Sequence, residues 1–235
     1  VGEFDNDGWL DVLCVRLGQP LVYRNRGDGS LVATMFGLSP AADGALAWGD
    51  YNNDDWLDIL LTGDSDSGAG IVPVSQIYRN SAGGSHHLSD ARLPGVHRGA
   101  VAWGDFDNDG RLDVLLTGET TNRLLAGVYR NNGDDTFTDL DAGLPGVRDG
   151  AVACVDYDQD GWLDLLLTGE ATNGPITRLY RNQRNGAFAW NTNAVFPGLS
   201  LGAVACGDPD NDGWPDLLLA GQGTNGVPLA AVYRN

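Results

Sequence analysis

The chain has 235 residues and is 42% hydrophobic, which is enough for a buried core and excludes a disordered acidic tail. It carries 32 acids against 14 basic residues, all of them Arg, and its net charge of −18 argues against nucleic acid and anionic membranes as partners. No apolar run approaches the length of a membrane span, so we expect no direct membrane insertion.

The first predicted element is an acidic string, "GEFDNDGWLD", which begins at Gly2 and leads into a short apolar run and then into the triplet Tyr-Arg-Asn. The same order returns four more times along the chain. The later strings begin at Gly49, Gly104, Val155 and Gly207, and the five triplets at Tyr23, Tyr78, Tyr129, Tyr180 and Tyr233. The first acids of the strings lie 47 to 55 residues apart, so the chain is an internal repeat.

Each repeat contains four segments with strand patterns. The segments "GALAWGD" and "GAVAWGD", which precede an acidic string, alternate small and larger apolar residues, as in a crowded inner strand. The runs "LDVLLTG" and "LDLLLTG" are apolar on both faces and too short for helices. The segment that ends in Tyr-Arg-Asn is a third strand, and "DTFTDL" alternates as a half-exposed outer strand.

These patterns predict an all-β fold, a β-propeller of five repeats of about 50 residues with four strands each. A solenoid needs shorter units, a β-sandwich does not repeat in this way, and a lone sheet of this size cannot bury both of its faces. We expect one domain over residues 1–235, with repeats at approximately 1–36, 37–90, 91–140, 141–190 and 191–235.

The first and last blades are expected to be incomplete. The chain begins with almost none of the inner strand that precedes later acidic strings, and it stops at residues 233–235, before an outer strand. We therefore expect the chain to be a slice of a longer propeller.

The acidic strings have the chemistry of cation loops. If Asp105 is position 1, carboxylates fall at positions 1, 3, 5 and 9, a glycine at position 6 permits a sharp turn, and the carbonyl of position 7 faces the same point. Oxygen ligands of this kind suit Ca²⁺ better than Mg²⁺ or Zn²⁺. The five strings hold 20 of the 32 acids, so five bound Ca²⁺ ions change the net charge from −18 to −8. The loop is not an EF-hand, because position 12 is apolar and no helices flank it.

The five loops are not equal. The third, fourth and fifth keep four carboxylates and the glycine, whereas the first has Glu3 at position 1. The second has Asn52 at position 3 and Asp55 in the glycine position. We expect the second loop to be the weakest site, because its charge is lower and its turn more strained.

The segment "AWGDFDNDGRLDVLLTG" followed by "VYRNNGDDTFTDLDAGL" resembles the FG-GAP/VCBS repeat family, which includes the propeller of integrin α-subunits, and the resemblance covers essentially the whole chain. It implies an extracellular, cell-surface or periplasmic propeller for adhesion or recognition, with up to five Ca²⁺ ions bound. By this resemblance, the calcium ligands are positions 1, 3, 5, 7 and 9 of each loop: Glu3, Asp5, Asp7, Trp9, Asp11; Asp50, Asn52, Asp54, Trp56, Asp58; Asp105, Asp107, Asp109, Arg111, Asp113; Asp156, Asp158, Asp160, Trp162, Asp164; and Asp208, Asp210, Asp212, Trp214, Asp216.

Two further features are open to more than one interpretation. The Tyr-Arg-Asn triplets are expected to be structural, with Tyr packed between blades, Arg paired with an acid and Asn starting a turn, although they also suit a binding surface. The rings of Trp9, Trp56 and Trp162 are expected to pack over the next blade, although exposed rings can stack on sugars.

We expect the protein not to be an enzyme, because carboxylates that coordinate a cation cannot act as free acid and base and no other catalytic set stands out. The expected partner is a protein or a glycan. The main hypothesis is a calcium-stabilised adhesion or recognition module. The alternative is a carbohydrate-binding module or appendage of a secreted glycan-active enzyme.

Overall fold

Eighteen strands and no helix make up the part of the chain that this computed structural model describes, namely residues 1–34, 37–39, 41–66, 68, 70–81 and 85–235. The strands of the first two repeats are β1 (Val12–Arg16), β2 (Gln19–Asn25), β3 (Leu31–Thr34), β4 (Leu46–Gly49), β5 (Asp58–Asp66), β6 (Ile71–Ser81) and β7 (Ser85–Leu88). Those of the third and fourth are β8 (Val101–Gly104), β9 (Asp113–Glu119), β10 (Leu124–Asn131), β11 (Phe137–Asp139), β12 (Val152–Val155), β13 (Asp164–Ala171), β14 (Gly174–Asn182) and β15 (Phe188–Trp190). The fifth repeat has β16 (Leu199–Gly207), β17 (Asp216–Gly223) and β18 (Pro228–Tyr233).

All strand pairs are antiparallel, and each of the three middle repeats is a four-stranded meander in chain order. This confirms the predicted order of inner strand, apolar run, Tyr-Arg-Asn strand and outer strand. The first sheet has three strands, β1 to β3. The strands β16 to β18 are joined to β14 by the single pair Ile176 and Leu199, so β12 to β18 form one hydrogen-bonded sheet. The predicted boundary between the first two repeats adjoins Phe36, which lies outside the described residues.

The apolar runs after the acidic strings form the centre of the core. The first six residues of β5, β9 and β13 are all buried, as expected for strands covered on both faces. The core divides into four clusters, and each one combines side chains of two consecutive repeats. In one of them, Leu60 of the second repeat packs with Leu116 and Tyr129 of the third. A repeat therefore buries its apolar faces only against its neighbours.

Backbone hydrogen bonds between residues just before or at the start of the inner strands link consecutive repeats. Arg98 N–H donates to the Asp43 carbonyl, Asp149 N–H to the Arg98 carbonyl and Leu201 N–H to the Asp149 carbonyl, each over 2.6 Å. All four residues have left-handed φ values of 49° to 51°. The acidic loops lie at the other end of the inner strands, so the topology brings them to one side of the fold.

No helix in the described part of the chain is long and apolar enough to cross a lipid bilayer.

Candidate metal centres

The acid at position 9 fastens each acidic loop to the sheet. In the third loop, Asp113 is fully buried at the start of β9, and its two oxygens accept the N–H groups of Phe106 (3.0 Å) and Asn131 (2.8 Å). The first, second and fourth loops repeat both bonds. In the fifth, Asp216 keeps only the bond from Asn235, because position 2 is Pro209, which has no N–H.

The acid at position 1 stabilises the turn of the loop by accepting backbone hydrogen bonds. The Asp105 carboxylate accepts the N–H groups of Asp109 (3.0 Å) and Gly110 (2.9 Å), and Asp109 in turn accepts the N–H of Arg111 (3.0 Å). Gly110 has φ 85°, a left-handed value that glycine adopts without steric cost. Hydrogen bonds to the acids at positions 1 and 5 thus close a tight turn.

The acids at positions 1, 3 and 9 converge in two of the loops with complete ligand sets. Asp105, Asp107 and Asp113 each offer an oxygen, and these atoms lie within 4.8 Å of one another. The fourth loop does the same, and so does the first with its longer Glu3, while in the fifth loop the group consists of positions 1, 3 and 5. The residues of these three groups are Asp156, Asp158 and Asp164; Glu3, Asp5 and Asp11; and Asp208, Asp210 and Asp212.

Several predicted ligands stand outside these groups. Position 5 of the first, third and fourth loops (Asp7, Asp109 and Asp160) and Asp216 of the fifth do not belong to them. Within the described residues, the second loop contributes no such group.

One oxygen at position 3 lacks a protein partner. The Oδ1 atoms of Asp107 and Asp158 are buried, and no donor among the described residues reaches them. A buried carboxylate oxygen without a donor is costly unless a cation or water satisfies it. The residues present therefore fit a cation that takes only oxygen ligands.

The Arg of each Tyr-Arg-Asn triplet pairs with the outer oxygens of the loop acids, which confirms that prediction. Arg130 Nε lies 2.7 Å from Asp107 Oδ2, and its terminal nitrogen lies 3.3 Å from Asp109 Oδ2. Equivalent pairs occur in the other loops: Arg24 with Asp5, Arg79 with Asp54, Arg181 with Asp158 and Asp160, and Arg234 with Asp210. The Arg orients positions 3 and 5 from outside, as outer partners of metal ligands do.

Burial disfavours the ionised form of several loop acids. Burial, strengthened by neighbouring loop acids, raises the pKa of Asp58 to about 7 and the pKa values of Asp113 and Asp164 to about 6. Burial and the Asp109 charge also raise the pKa of Asp107. A cation bound among these acids would lower their pKa values again, because an opposite charge stabilises the ionised form.

The rings of Trp9 and Trp162 lie over the turn of their own repeat rather than over the next blade as expected, while the packing of the Trp56 ring stays a prediction. The Trp9 ring covers Gly27, where a Cβ atom would come within 2.3 Å of it. The Arg184 guanidinium lies 5.9 Å from the centre of the Trp162 ring. Trp9 and Trp214 are 49% and 42% exposed.

Sequence reasoning missed the full role of the triplet Asn. Its oxygen starts a turn as expected, since Asn131 Oδ1 accepts the Gly133 N–H at 2.9 Å. Its amide also donates across to the previous repeat. Such bonds run from Asn80 to the carbonyl of Phe4, from Asn131 to Tyr51, from Asn182 to Phe106 and from Asn235 to Tyr157. The signal in the sequence is the return of Asn in all five triplets.

Comparisons with known proteins agree with this repeat. A family profile described as "FG-GAP-like repeat" matches residues 4–61, 50–116, 105–167 and 156–219. Cartilage acidic protein 1 is 29% identical in Homo sapiens and 28% identical in Mus musculus over 225 residues, which cover 88% of this chain. The chain spans about a third of the length of these relatives, 33% in each case.

A solved structure shares the fold. It is a lectin of Agrocybe aegerita described as recognising non-reducing terminal N-acetylglucosamine. The TM-score is 0.53 at 17% identity, over 95% of this chain and 62% of the lectin. At that identity the likeness concerns the fold alone.

Proposed function

The chain belongs to the FG-GAP-like repeat family, and we propose that it is a calcium-binding extracellular module for recognition or adhesion whose acidic loops hold Ca²⁺ as structural ions. Up to five ions bind, one in each loop. Their ligands are the residues predicted at positions 1, 3, 5, 7 and 9, and the ion offsets the repulsion among the acids and stiffens the loop.

The observation that carries this proposal is the pair of buried Oδ1 atoms of Asp107 and Asp158, which face clustered acids without a donor in the described part of the chain. An all-oxygen site with several carboxylates matches the ligand preference of Ca²⁺. Extracellular modules bind Ca²⁺ with dissociation constants of about 10⁻⁴ to 10⁻³ M, so such sites fill outside the cell and stay mostly empty in the cytosol.

Residues 1–235 form one β-propeller in this proposal, with five blades of which the first and last are incomplete. The support is that each core cluster joins two consecutive repeats, so the repeats stack side by side in chain order. We propose no enzymatic activity for it.

Calorimetric titration of metal-free protein with Ca²⁺ tests the cation sites. We expect up to five ions, and Asp109→Ala should lower the number by one because repeats couple mainly to their neighbours. Asp90→Asn is the matched control, since it removes one exposed acid outside the loops. Absence of Ca²⁺ binding, or an unchanged ion number in Asp109→Ala, contradicts the ligand assignment.

A glycan is the second candidate for the partner. It is favoured by the exposed rings of Trp9 and Trp214 beside the loops and by the shared fold with a lectin described as recognising N-acetylglucosamine. A glycan array on the Ca²⁺-loaded protein tests it, with Trp9→Ala and Trp214→Ala expected to lose binding. Trp190→Ala is the control, because Trp190 is equally exposed, at 48%, but lies on an outer strand under Arg178. A silent array favours a protein partner.

A further inference from the structure

The residue at position 4 of every loop is left-handed and carries a side-chain amide. The φ values are 55° for Asn6, 56° for Asn53, 55° for Asn108, 56° for Gln159 and 57° for Asn211. Asparagine tolerates this conformation better than most residues, but the long side chain of Gln159 does not share that advantage. The recurrence of an amide therefore calls for a reason beyond backbone shape.

Four of these amides reach the next loop along the chain. Asn6 Nδ2 donates to the Asp55 carbonyl at 3.0 Å, and Asn53 Nδ2 donates to the Gly110 carbonyl at 3.0 Å. Asn108 Nδ2 donates to the Gly161 carbonyl at 2.9 Å, and Gln159 bonds in the same way to the Gly213 carbonyl. The acceptor is always position 6 of the following loop.

The peptide group that accepts this bond is also held by its own loop. Between residues 161 and 162, the carbonyl faces Asn108, and the N–H of Trp162 donates to Asp160 Oδ1 at 3.1 Å. Position 7, one residue on, supplies the proposed carbonyl ligand. The amide of one loop therefore fixes a peptide that lies between two proposed ligands of the next.

We propose that the position-4 amides couple neighbouring cation sites, so that a filled loop favours binding in the next. This inference rests on the proposed function. Position 4 lies between the acids at positions 3 and 5, so a cation that fixes those acids also fixes the amide. The following loop then loses less conformational entropy when its own cation binds, so its affinity rises. This is positive coupling between the two sites. Because coupling of binding is reciprocal, the effect acts in both directions along the chain.

The test is hydrogen exchange of residues 156–164 in the full chain as a function of Ca²⁺ concentration. Asn108→Gly removes the amide, and glycine keeps the left-handed backbone without strain. We expect the Ca²⁺ midpoint of this loop to rise about fivefold or more, the usual lower range of site-to-site coupling. Asn211→Gly is the matched control, because Asn211 bonds to no later loop among the described residues, and it should leave the midpoint unchanged.

Removing the third cation should have the same consequence. Asp109→Ala, which disables the third site, should shift the midpoint of residues 156–164 as Asn108→Gly does, and the two changes together should do no more than either alone. Asn108→Asp is a second variant, in which a carboxylate faces the Gly161 carbonyl and shifts the midpoint in the same direction.

The outcomes separate the two proposals. If Ca²⁺ protects the loop but all variants share one midpoint, the coupling is overturned and the proposed function stands. If Ca²⁺ does not alter exchange even in the unmodified protein, both fall together.

Discussion

The second acidic loop, residues 50–58, and the third, residues 105–113, follow the same path with different side chains. In both, position 1 accepts the N–H groups of positions 5 and 6, and position 9 accepts those of position 2 and of the triplet Asn. The loops differ at positions 2, 3, 6 and 7; the changes that alter acids are Asn52 against Asp107 at position 3 and Asp55 against Gly110 at position 6. The path of the loop therefore does not depend on the acid at position 3.

The side chains at position 3 have different hydrogen-bond environments in the two loops. Asn52 Oδ1 accepts the Asp54 N–H at 3.1 Å, so the amide oxygen is satisfied within the loop. Asp107 Oδ1 is buried without a donor among the described residues. The second loop keeps its shape without an acid at position 3, so the path of the third loop does not need the acid that it carries there. Positions 1 and 9 hold the path of the loop, and the acid at position 3 is the one to which the proposed function assigns the role of a cation ligand.

The largest effect should come from removing the cations altogether. Each filled site stabilises the folded state by about 1.4 kcal/mol when Ca²⁺ is at ten times its dissociation constant, and several sites add. Urea unfolding with Ca²⁺ and with a chelator should therefore differ by several kcal/mol. Identical unfolding curves would contradict the proposal that Ca²⁺ stabilises the fold.

The acid at position 9 should matter equally in both loops. Asp58→Ala and Asp113→Ala each leave two buried backbone N–H groups without an acceptor, at a cost of about 2–4 kcal/mol in the free energy of unfolding. Urea unfolding of the metal-free variants measures this. Asp90→Ala, on the exposed surface, is the control and should change little. A much smaller loss at Asp113 than at Asp58 would contradict a shared structural role.

Much of this arrangement could be predicted from sequence because it repeats at short range. The run "LDVLLTG" contains three successive apolar residues, Val114 to Leu116, that the sheet buries, and the acids at positions 1, 3 and 9 of a tight loop converge without help from distant residues. The acidic clusters of the third and fourth loops therefore follow from their spacing alone.

The links between repeats could not be predicted in the same way. Asn131 bonds to the carbonyl of Tyr51, 80 residues away, and nothing in a local pattern identifies a backbone carbonyl as a partner. The Trp9 ring was expected over the next repeat, but Gly27 of its own repeat leaves room for it. The Asn131 bond depends on how the sheets stack, whereas the Trp9 contact depends on the lack of a side chain at Gly27.

Exchanging position 3 between the two loops should exchange their affinities. Asn52→Asp adds a ligand charge and should tighten the second site about tenfold, and Asp107→Asn should weaken the third by a similar factor. In metal-free protein the signs should reverse, because Asp107→Asn relieves repulsion and raises the free energy of unfolding. Ca²⁺ titration and urea unfolding measure the two effects, with Asn132→Asp as a control that adds an exposed acid outside the loop. Equal affinities in all variants would mean that position 3 is not a ligand.

The smallest effect should come from position 6, where substitutions test the left-handed backbone conformation and the side-chain charge separately. Asp55 has φ 67° and Gly110 has φ 85°, both left-handed. Gly110→Asp should lower the free energy of unfolding by about 1 kcal/mol, because an added Cβ at Gly110 meets nothing within 4 Å and only the backbone preference changes. Asp55→Gly should gain somewhat less, about 0.5 kcal/mol, because glycine also makes the unfolded chain more flexible. Urea unfolding of metal-free protein measures both, and Asp55→Asn, which also tolerates the left-handed region, should behave like the unmodified protein apart from the lost charge. If Asp55→Asn gained as much as Asp55→Gly, the stability of the second loop would be limited by the charge of Asp55 rather than by its turn.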